Sequence, residues 1–255
     1  METISPNTLF TGKRFIYLHE IDSTNNHAVQ LLQRENLPEG TVIFTPSQVK
    51  GRGQFGNEWL SEPGKNIAMS VILYPNFLQA EKQFFLNQAV SLAVFDFCKK
   101  TVMLPDKLKI KWSNDIFIGD KKAGGILVEN TLSGNRINNS VVGIGINVNQ
   151  TRFPAEIPDA TSLKSVTGNS FPLLNLVEKL CEELEFRYLQ LREGKHDLLK
   201  RDYLQVLYRY QEIHSYKISH EVVAGQILGV TEDGKLIIEM NGRLNYFGFK
   251  EIEFL

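Results

Sequence analysis

The sequence predicts an α+β protein: a mixed, mainly antiparallel sheet with flanking helices, followed by a small C-terminal β-barrel. Three observations carry this reading. LKIKWSNDIFI, KKAGGILVEN and NSVVGIGINVN, at residues 108–118, 121–130 and 139–149, are apolar runs joined by the turn signals Gly119-Asp120 and Ser133-Gly134-Asn135. Strands joined in this way form an antiparallel meander. Leu86, Ala89, Val90, Ala93, Val94 and Phe97 recur at the spacing of a core-facing helix. From about Ser215 the pattern shifts to short alternating strands with glycine turns: EVVAGQILGV, KLIIEMNG and RLNYFGFKEIEFL.

The remaining elements follow in order. Phe15 to Leu18 reads as a short strand, and Ser23 or Thr24 caps a helix on which Ala28, Leu31 and Leu32 repeat. Thr41 to Thr45 is β-branched and aromatic, a strand that runs into a glycine loop. Asn66 to Tyr74 is another strand, ended by Pro75. After the meander, residues 153–169 are loop-like and rich in Pro, Ser and Thr. Pro172 opens a long helix to about Gln190, and a second helix covers His196 to Tyr208. The division expected is a large domain at 1–212 and a β-module at 213–255. A module that small buries too little surface alone, so it is expected to lean on its neighbour.

Composition narrows the function classes. The chain has 255 residues, 42% hydrophobic and 22% charged, with 28 basic and 29 acidic side chains and a net charge of -1. That balance gives no reason to expect a nucleic-acid partner. No apolar stretch approaches the roughly 18 residues that span a membrane. The N-terminal METISPNTLF lacks the basic and apolar regions of a signal peptide, so the expected compartment is the cytoplasm. Cys98 and Cys181 sit in apolar helical stretches and read as core residues, and no Cys/His cluster has metal-ligand spacing.

Gly51-Arg52-Gly53-Gln54-Phe55-Gly56 spells G-x-G-x-x-G. A dinucleotide fold needs a helix to begin inside that motif, but Pro63, Gly64 and then a strand follow it. The kinase elements H-R-D and D-F-G are absent, as is a G-x-x-x-x-G-K-[ST] loop. What remains is physical: the glycines let backbone approach a ligand, while Arg52 and Lys50 supply cations suited to a phosphate. Standing alone, such a loop could equally be a solvated hairpin. It is accompanied by Lys111-Trp112-Ser113-Asn114-Asp115, by Lys122-Ala123-Gly124-Gly125-Ile126-Leu127-Val128-Glu129, and by Gly143-Ile144-Gly145-Ile146-Asn147.

With Ser23-Thr24-Asn25, Gln48 to Gly53 and Trp59, these motifs resemble, in order, those of the biotin–protein ligases. Those enzymes join biotin to a lysine of biotin-dependent carboxylases. The resemblance runs from about residue 15 to the C-terminus. It implies a class II synthetase-like catalytic domain followed by an SH3-like β-domain. Many relatives also carry an N-terminal DNA-binding helix-turn-helix. This chain starts almost directly at the catalytic domain, so the monofunctional form is expected, as monomer or homodimer.

The resemblance further implies two steps: ATP activates biotin as biotinyl-AMP, and a carrier-domain lysine then takes the biotinyl group. Both reactants in the first step are anions, which repel by roughly 4 kcal/mol at 4 Å and an effective dielectric near 20. Fixed cations and Mg²⁺ on the phosphates are therefore required. Arg52, Lys122 and Lys111 are the candidate cations, with Lys122 between the biotin carboxylate and the α-phosphate. The resemblance places Ser23, Thr24, Asn25 and Gln48 near the ureido ring, and adds Gly51, Arg52, Gly53, Lys122 and Gly124 to the biotin set. It assigns Arg52, Gln54, Trp59, Asn114, Lys122 and Asn147 to the adenylate, with Trp59 covering adenine once the loop closes. Asp115 either orients or deprotonates the carrier lysine, or is a strand-end carboxylate paired with Lys111 or Lys122.

Two departures stand out. Ser113 replaces the usual proline of K-W-P-N-D, and Gln54 stands where relatives commonly carry a second arginine. Loss of that cation is expected to loosen retention of the activated intermediate. A lipoate or octanoate ligase shares the general fold but lacks G-R-G followed by K-W-x-N-D. A non-catalytic biotin sensor could lose the cations that are present here.

Overall fold

The computed structural model describes residues 2–255. Its first half contains β1 (Phe15–Tyr17), α1 (Thr24–Leu32), β2 (Val42–Thr45), β3 (Gly51–Arg52), β4 (Glu58–Trp59), β5 (Ile67–Leu73) and α2 (Phe84–Val102). The meander and helices follow as β6 (Leu108–Lys111), β7 (Asp115–Ile118), β8 (Lys121–Ser133), β9 (Arg136–Ile146), α3 (Leu163–Thr167), α4 (Leu173–Arg192) and α5 (His196–Gln205). The tail forms β10 (Ile213–Ile218), β11 (Glu221–Val230), β12 (Leu236–Met240), β13 (Arg243–Phe247) and β14 (Glu253–Phe254).

Seven strands make one sheet in the order β1-β2-β5-β9-β8-β7-β6. Among the described residues only β1 and β2 of this sheet pair in parallel; its other ladders are antiparallel. The central β5 reads IAMSVIL and is buried throughout, as expected of a strand covered on both faces. Ile67, Met69, Val71 and Leu73 join the main core with α2 and α4, whereas Ile72 packs with Ala28 of α1 and Ile43 in a second cluster. Ser70, by the same alternation, faces α1. Ser23 caps α1 as expected, its side chain accepting from the Asn26 amide.

Three expectations are corrected. Residues 108–118 form a hairpin rather than one strand, turning at Trp112, Ser113 and Asn114. The turn is held from a distance: buried Tyr203 donates to the Ser113 carbonyl at 2.7 Å, and the Asn114 amide donates to Ile126 O. The stretch 153–169 contains α3, capped by Ser162, which accepts from Ser165 N at 3.0 Å, and stopped by Gly168 at φ +78. Finally, α5 ends at Gln205, because the chain after it bonds the β6 edge: Ile110 N donates to Val206 O at 2.9 Å and Tyr208 N to Ile110 O at 2.8 Å.

The C-terminal strands form a five-stranded antiparallel sheet, β13-β12-β11-β10-β14. Among the described residues no ladder joins β13 to β14, so the sheet does not close into the expected barrel. It leans on the larger sheet through Trp112, whose Nε1 donates to Gly234 O at 3.0 Å, and through Phe249, whose ring centroid lies 6.0 Å from that of Trp112. Cys98 and Cys181 are unpaired and buried, and burial raises both thiol pKa values, Cys98 to about 12. Among the described residues no helix is long and apolar enough to cross a membrane.

The N-terminal segment is strapped to α4 by carboxylates. Buried Glu185 accepts from the amides of Leu9, Phe10 and Thr11, at 2.5, 2.8 and 2.9 Å. Ser5 N and Asn7 N donate to Glu178 and Glu182 on the same helix. Glu185→Ala strands three amides without an acceptor. The expected cost is about 3 kcal/mol, a Tm fall of about 8 °C in a thermal melt.

Candidate active site

The site is built on a stripe of missing side chains. Ala68, Gly145 and Gly125 are direct partners across β5, β9 and β8, with Asp115 of β7 next in the row. One step along, Ser70 faces Gly143, which faces Leu127. Larger residues here would fill the space: a Cβ at Gly143 would collide with Asn25 Oδ1, and one at Gly145 would lie 2.5 Å from Trp59 Cε2. The sheet thus leaves a trough, with α1 at one end and β7 at the other.

The α1 end is polar and closely bonded. Gln48 Oε1 accepts from Thr24 N at 2.9 Å and from Thr24 Oγ1 at 3.3 Å. Ser70 Oγ lies 2.7 Å from Thr24 Oγ1 and 2.6 Å from Asn25 Oδ1, while Asn25 Nδ2 donates to Glu129 Oε2 at 2.8 Å. Ser23, Thr24, Asn25 and Gln48, the four residues expected around one ligand ring, line a single pocket. Ser23, Thr24 and Asn25 are buried, with relative exposures of 2%, 3% and 3%.

The opposite end is cationic. A bulge in β8 shifts register between Ile116↔Gly124 and Phe117↔Lys122, with Ala123 as the extra residue. Lys122 therefore shares a face with Asp115, and the two form an ion pair at 2.8 Å. The backbone of Lys122 is held by a neighbouring loop, its N donating to Asp159 O at 2.7 Å and its O accepting from Thr161 N at 2.8 Å. Arg52, on the glycine loop, pairs with Glu129 at 2.8 Å and donates to Asn26 Oδ1. Glu129 thus holds both the loop arginine and Asn25.

The glycine loop forms the hairpin β3–β4 with a tight turn at Gln54–Gly56, and it divides two cavities. The pocket beneath it measures about 100 Å³ and the cavity beyond about 800 Å³; Gln48, Arg52, Gly53 and Trp59 border both. The inner volume is below the roughly 300–1,000 Å³ of typical ligand sites. Trp59 accounts for much of that: its ring lies over Gly145, with Lys122 Nζ 5.9 Å from its centroid.

Arg52, Gly53, Gln54, Trp59, Asn114, Asp115 and Lys122 all line the inner pocket, together with the four polar residues. Four expected residues do not. Lys111 leans away, its ammonium 5.0 Å from the ring centroids of both Phe117 and Phe254; burial there lowers its pKa, with Asp115 opposing. Asn147 lies behind the floor, donating to Thr161 O at 3.0 Å, its buried Oδ1 without a partner among the described residues. Gly51 borders the outer cavity, and Gly124 packs against the Gly145 carbonyl on the core side.

Sequence reading missed Ser70, Asn26, Phe249 and the tether at Glu129. Ser70 carried a usable signal as a polar residue within an apolar strand. Phe249 carried none, since it reaches the pocket from the C-terminal module. Among the described residues no group of three or more His, Cys, Asp or Glu could hold a metal ion.

A sheet that sets a polar end against a cationic end, beneath an arginine-bearing hairpin, suits a protein ligase catalytic domain. Comparison with known proteins agrees. The profile described as the biotin/lipoate A/B protein ligase family matches residues 17–147. The bifunctional ligase/repressor BirA of Bacillus subtilis is 32% identical over 249 residues, 95% of this chain and 74% of that protein. The biotin–[acetyl-CoA-carboxylase] ligase of Mycobacterium tuberculosis is 30% identical, over 80% of this chain and 75% of its own length. Biotin protein ligase from Aquifex aeolicus in complex with biotin and ATP superposes with a TM-score of 0.78 at 28% identity, covering 94% of this chain and 98% of that one. The chain belongs to the biotin/lipoate A/B protein ligase family.

Proposed function

We propose that this protein is an ATP-dependent biotin–protein ligase. It joins the biotin carboxylate to the α-phosphate of ATP, with pyrophosphate leaving, and then passes the biotinyl group of biotinyl-5'-AMP to a lysine of a biotin carboxyl carrier domain, with AMP leaving. The observation that carries the reading is the placing of Thr24 and Gln48 at one end of a floor whose other end holds Lys122, under one arginine-bearing loop. A cyclic urea needs matched donors and acceptors, which hydroxyl and amide groups supply. The carboxylate of the same ligand then points toward Lys122, where it must meet a phosphate.

In the first step Lys122 and Arg52 offset the repulsion between the biotin carboxylate and the α-phosphate. Arg52 must leave Glu129 to do so, which ties its use to the arrival of a stronger anion. Trp59 and Asn114 serve the adenylate. Asn147 joins them if the loop 159–161 shifts, its unpartnered Oδ1 being an acceptor for a base N–H. In the second step the carrier lysine, an amine of pKa about 10.4, must lose a proton, and Asp115 is the carboxylate placed to orient or accept it. Closing the loop would keep water from the mixed anhydride.

Magnesium typically binds one or two carboxylates plus substrate phosphates. Asp115, its carboxylate paired with Lys122, and Glu58 are among the residues that line the pocket, and these two acidic residues would hold an ion brought in with the nucleotide. When bound it would supply positive charge to the phosphates.

Labelled biotin, ATP and a carboxylase carrier domain test the proposal: the protein should label the carrier, and lipoate or octanoate should not replace biotin. Absence of transfer, or preference for lipoate, would sink it. Gln54 offers a second measurement. It opens the turn of the glycine loop and lines the pocket, where an arginine would add a second fork of donors. Gln54→Arg is expected to slow escape of free biotinyl-AMP about tenfold, the worth of about 1.4 kcal/mol. Labelling of bystander lysines reports the escape.

A further inference from the structure

We infer that Ser70, a buried residue that lines neither of the two cavities beside the glycine loop, is the positioning residue that sets the proton polarity of the pocket's polar end. The inference rests on the biotin reading above and deepens it. Ser70 lies in the centre of β5, wholly buried, directly opposite Gly143. The bare backbone at Gly143 admits the Asn25 amide beside the Ser70 hydroxyl.

The direction of each bond follows from its partners. Glu129 is already paired with Arg52, and its carboxylate oxygen accepts from Asn25 at 2.8 Å, so that end of the amide is the NH₂. The other end, Asn25 Oδ1, is an acceptor, and the hydroxyl 2.6 Å away from it must donate. Ser70 has one proton and spends it there. Toward Thr24 Oγ1, at 2.7 Å, Ser70 therefore has only lone pairs to offer.

Thr24 consequently turns its own proton into the wall, to Ser70 Oγ at 2.7 Å, with Gln48 Oε1 at 3.3 Å beside it. Its lone pairs are left to face the pocket. Gln48 Oε1 is occupied by the Thr24 amide at 2.9 Å, which leaves Nε2 as that side chain's donating end. The polar end thus presents an acceptor at Thr24 and a donor at Gln48, complementary to the N–H and C=O of a cyclic urea. Without Ser70, Asn25 loses the partner that fixes its carbonyl, and the Thr24 hydroxyl is released to rotate.

The test is steady-state kinetics of Ser70→Ala and Ser70→Cys, with Ser140→Ala as control. Ser140 is an equally buried serine on β9, donating to Asn130 Oδ1 at 2.6 Å away from the pocket. Ser70→Ala should raise the KM for biotin about tenfold, as loss of one well-placed hydrogen bond implies, while the KM for ATP and kcat stay within about twofold. Desthiobiotin, which keeps the cyclic urea, should lose affinity in parallel. Cysteine, a weak donor, should fall between serine and alanine. Ser140→Ala should leave the biotin KM unchanged. An unaltered biotin KM in Ser70→Ala, or biotin and ATP constants shifting together, would overturn the inference. Failure of the wild-type protein to transfer biotin would instead overturn the proposed function.

Discussion

Lys122→Ala is expected to lower biotin-dependent ATP–pyrophosphate exchange about a thousandfold, with little change in thermal stability. Lys122 is the pocket cation held by the seven-stranded sheet itself, whereas Arg52 sits on the separate two-stranded hairpin. Deleting one preorganised donor to a developing anion typically costs 10²–10³ in rate. Here the loss is compounded, because Asp115 sheds its 2.8 Å partner and faces two incoming anions as an uncompensated carboxylate. The double variant Lys122→Ala/Asp115→Asn should therefore recover part of the rate of the first half-reaction. A single-variant loss below about tenfold would show that Arg52 supplies the decisive charge.

Gly143→Ala should weaken biotin binding about a hundredfold while the protein stays folded. Gly143 lies within a regular ladder, paired with Ser70 and Leu127, so alanine suits its backbone. The added methyl nevertheless collides with Asn25 Oδ1. Asn25 must swing away, losing the contacts of 2.6 Å to Ser70 and 2.8 Å to Glu129, and it sits next to Thr24 on the same helix. Displacement of a binding group by about 1 Å can cost about a hundredfold. Calorimetry with biotin alone reads the effect directly. Unchanged affinity would mean that Asn25 is not part of the ligand's surroundings.

Features specified by neighbouring residues were legible from the sequence. The Ser23 cap, α2 and the turns at Gly119-Asp120 and Ser133–Asn135 depend on local spacing and turn chemistry, and the structure contains each of them. The hairpin at 112–114 was not legible, because its turn is satisfied by Tyr203 and Ile126 from elsewhere in the chain. For the site, the residue types at Ser23, Thr24, Asn25, Gln48, Lys122 and Asp115 were legible, and the fold brings them to one pocket. The position of Lys111 was not legible, since its pull toward Phe254 arises only when the C-terminal module docks.

Most of the elements, the family motifs and the inventory of polar and cationic side chains can be read along the chain. Which of those side chains face one another depends on how the strands pair. Side chains on a strand alternate with period two, so a slip of one residue sends every later side chain to the opposite face. The single extra residue at Ala123 is such a slip: Ala123 turns into the core, fully buried, and Lys122 turns out to Asp115. A regular ladder would have pointed that lysine into the core beneath the sheet. The bulge is set by pairing with β7 and by the loop at 159–161, contacts that no local pattern around Lys122 records.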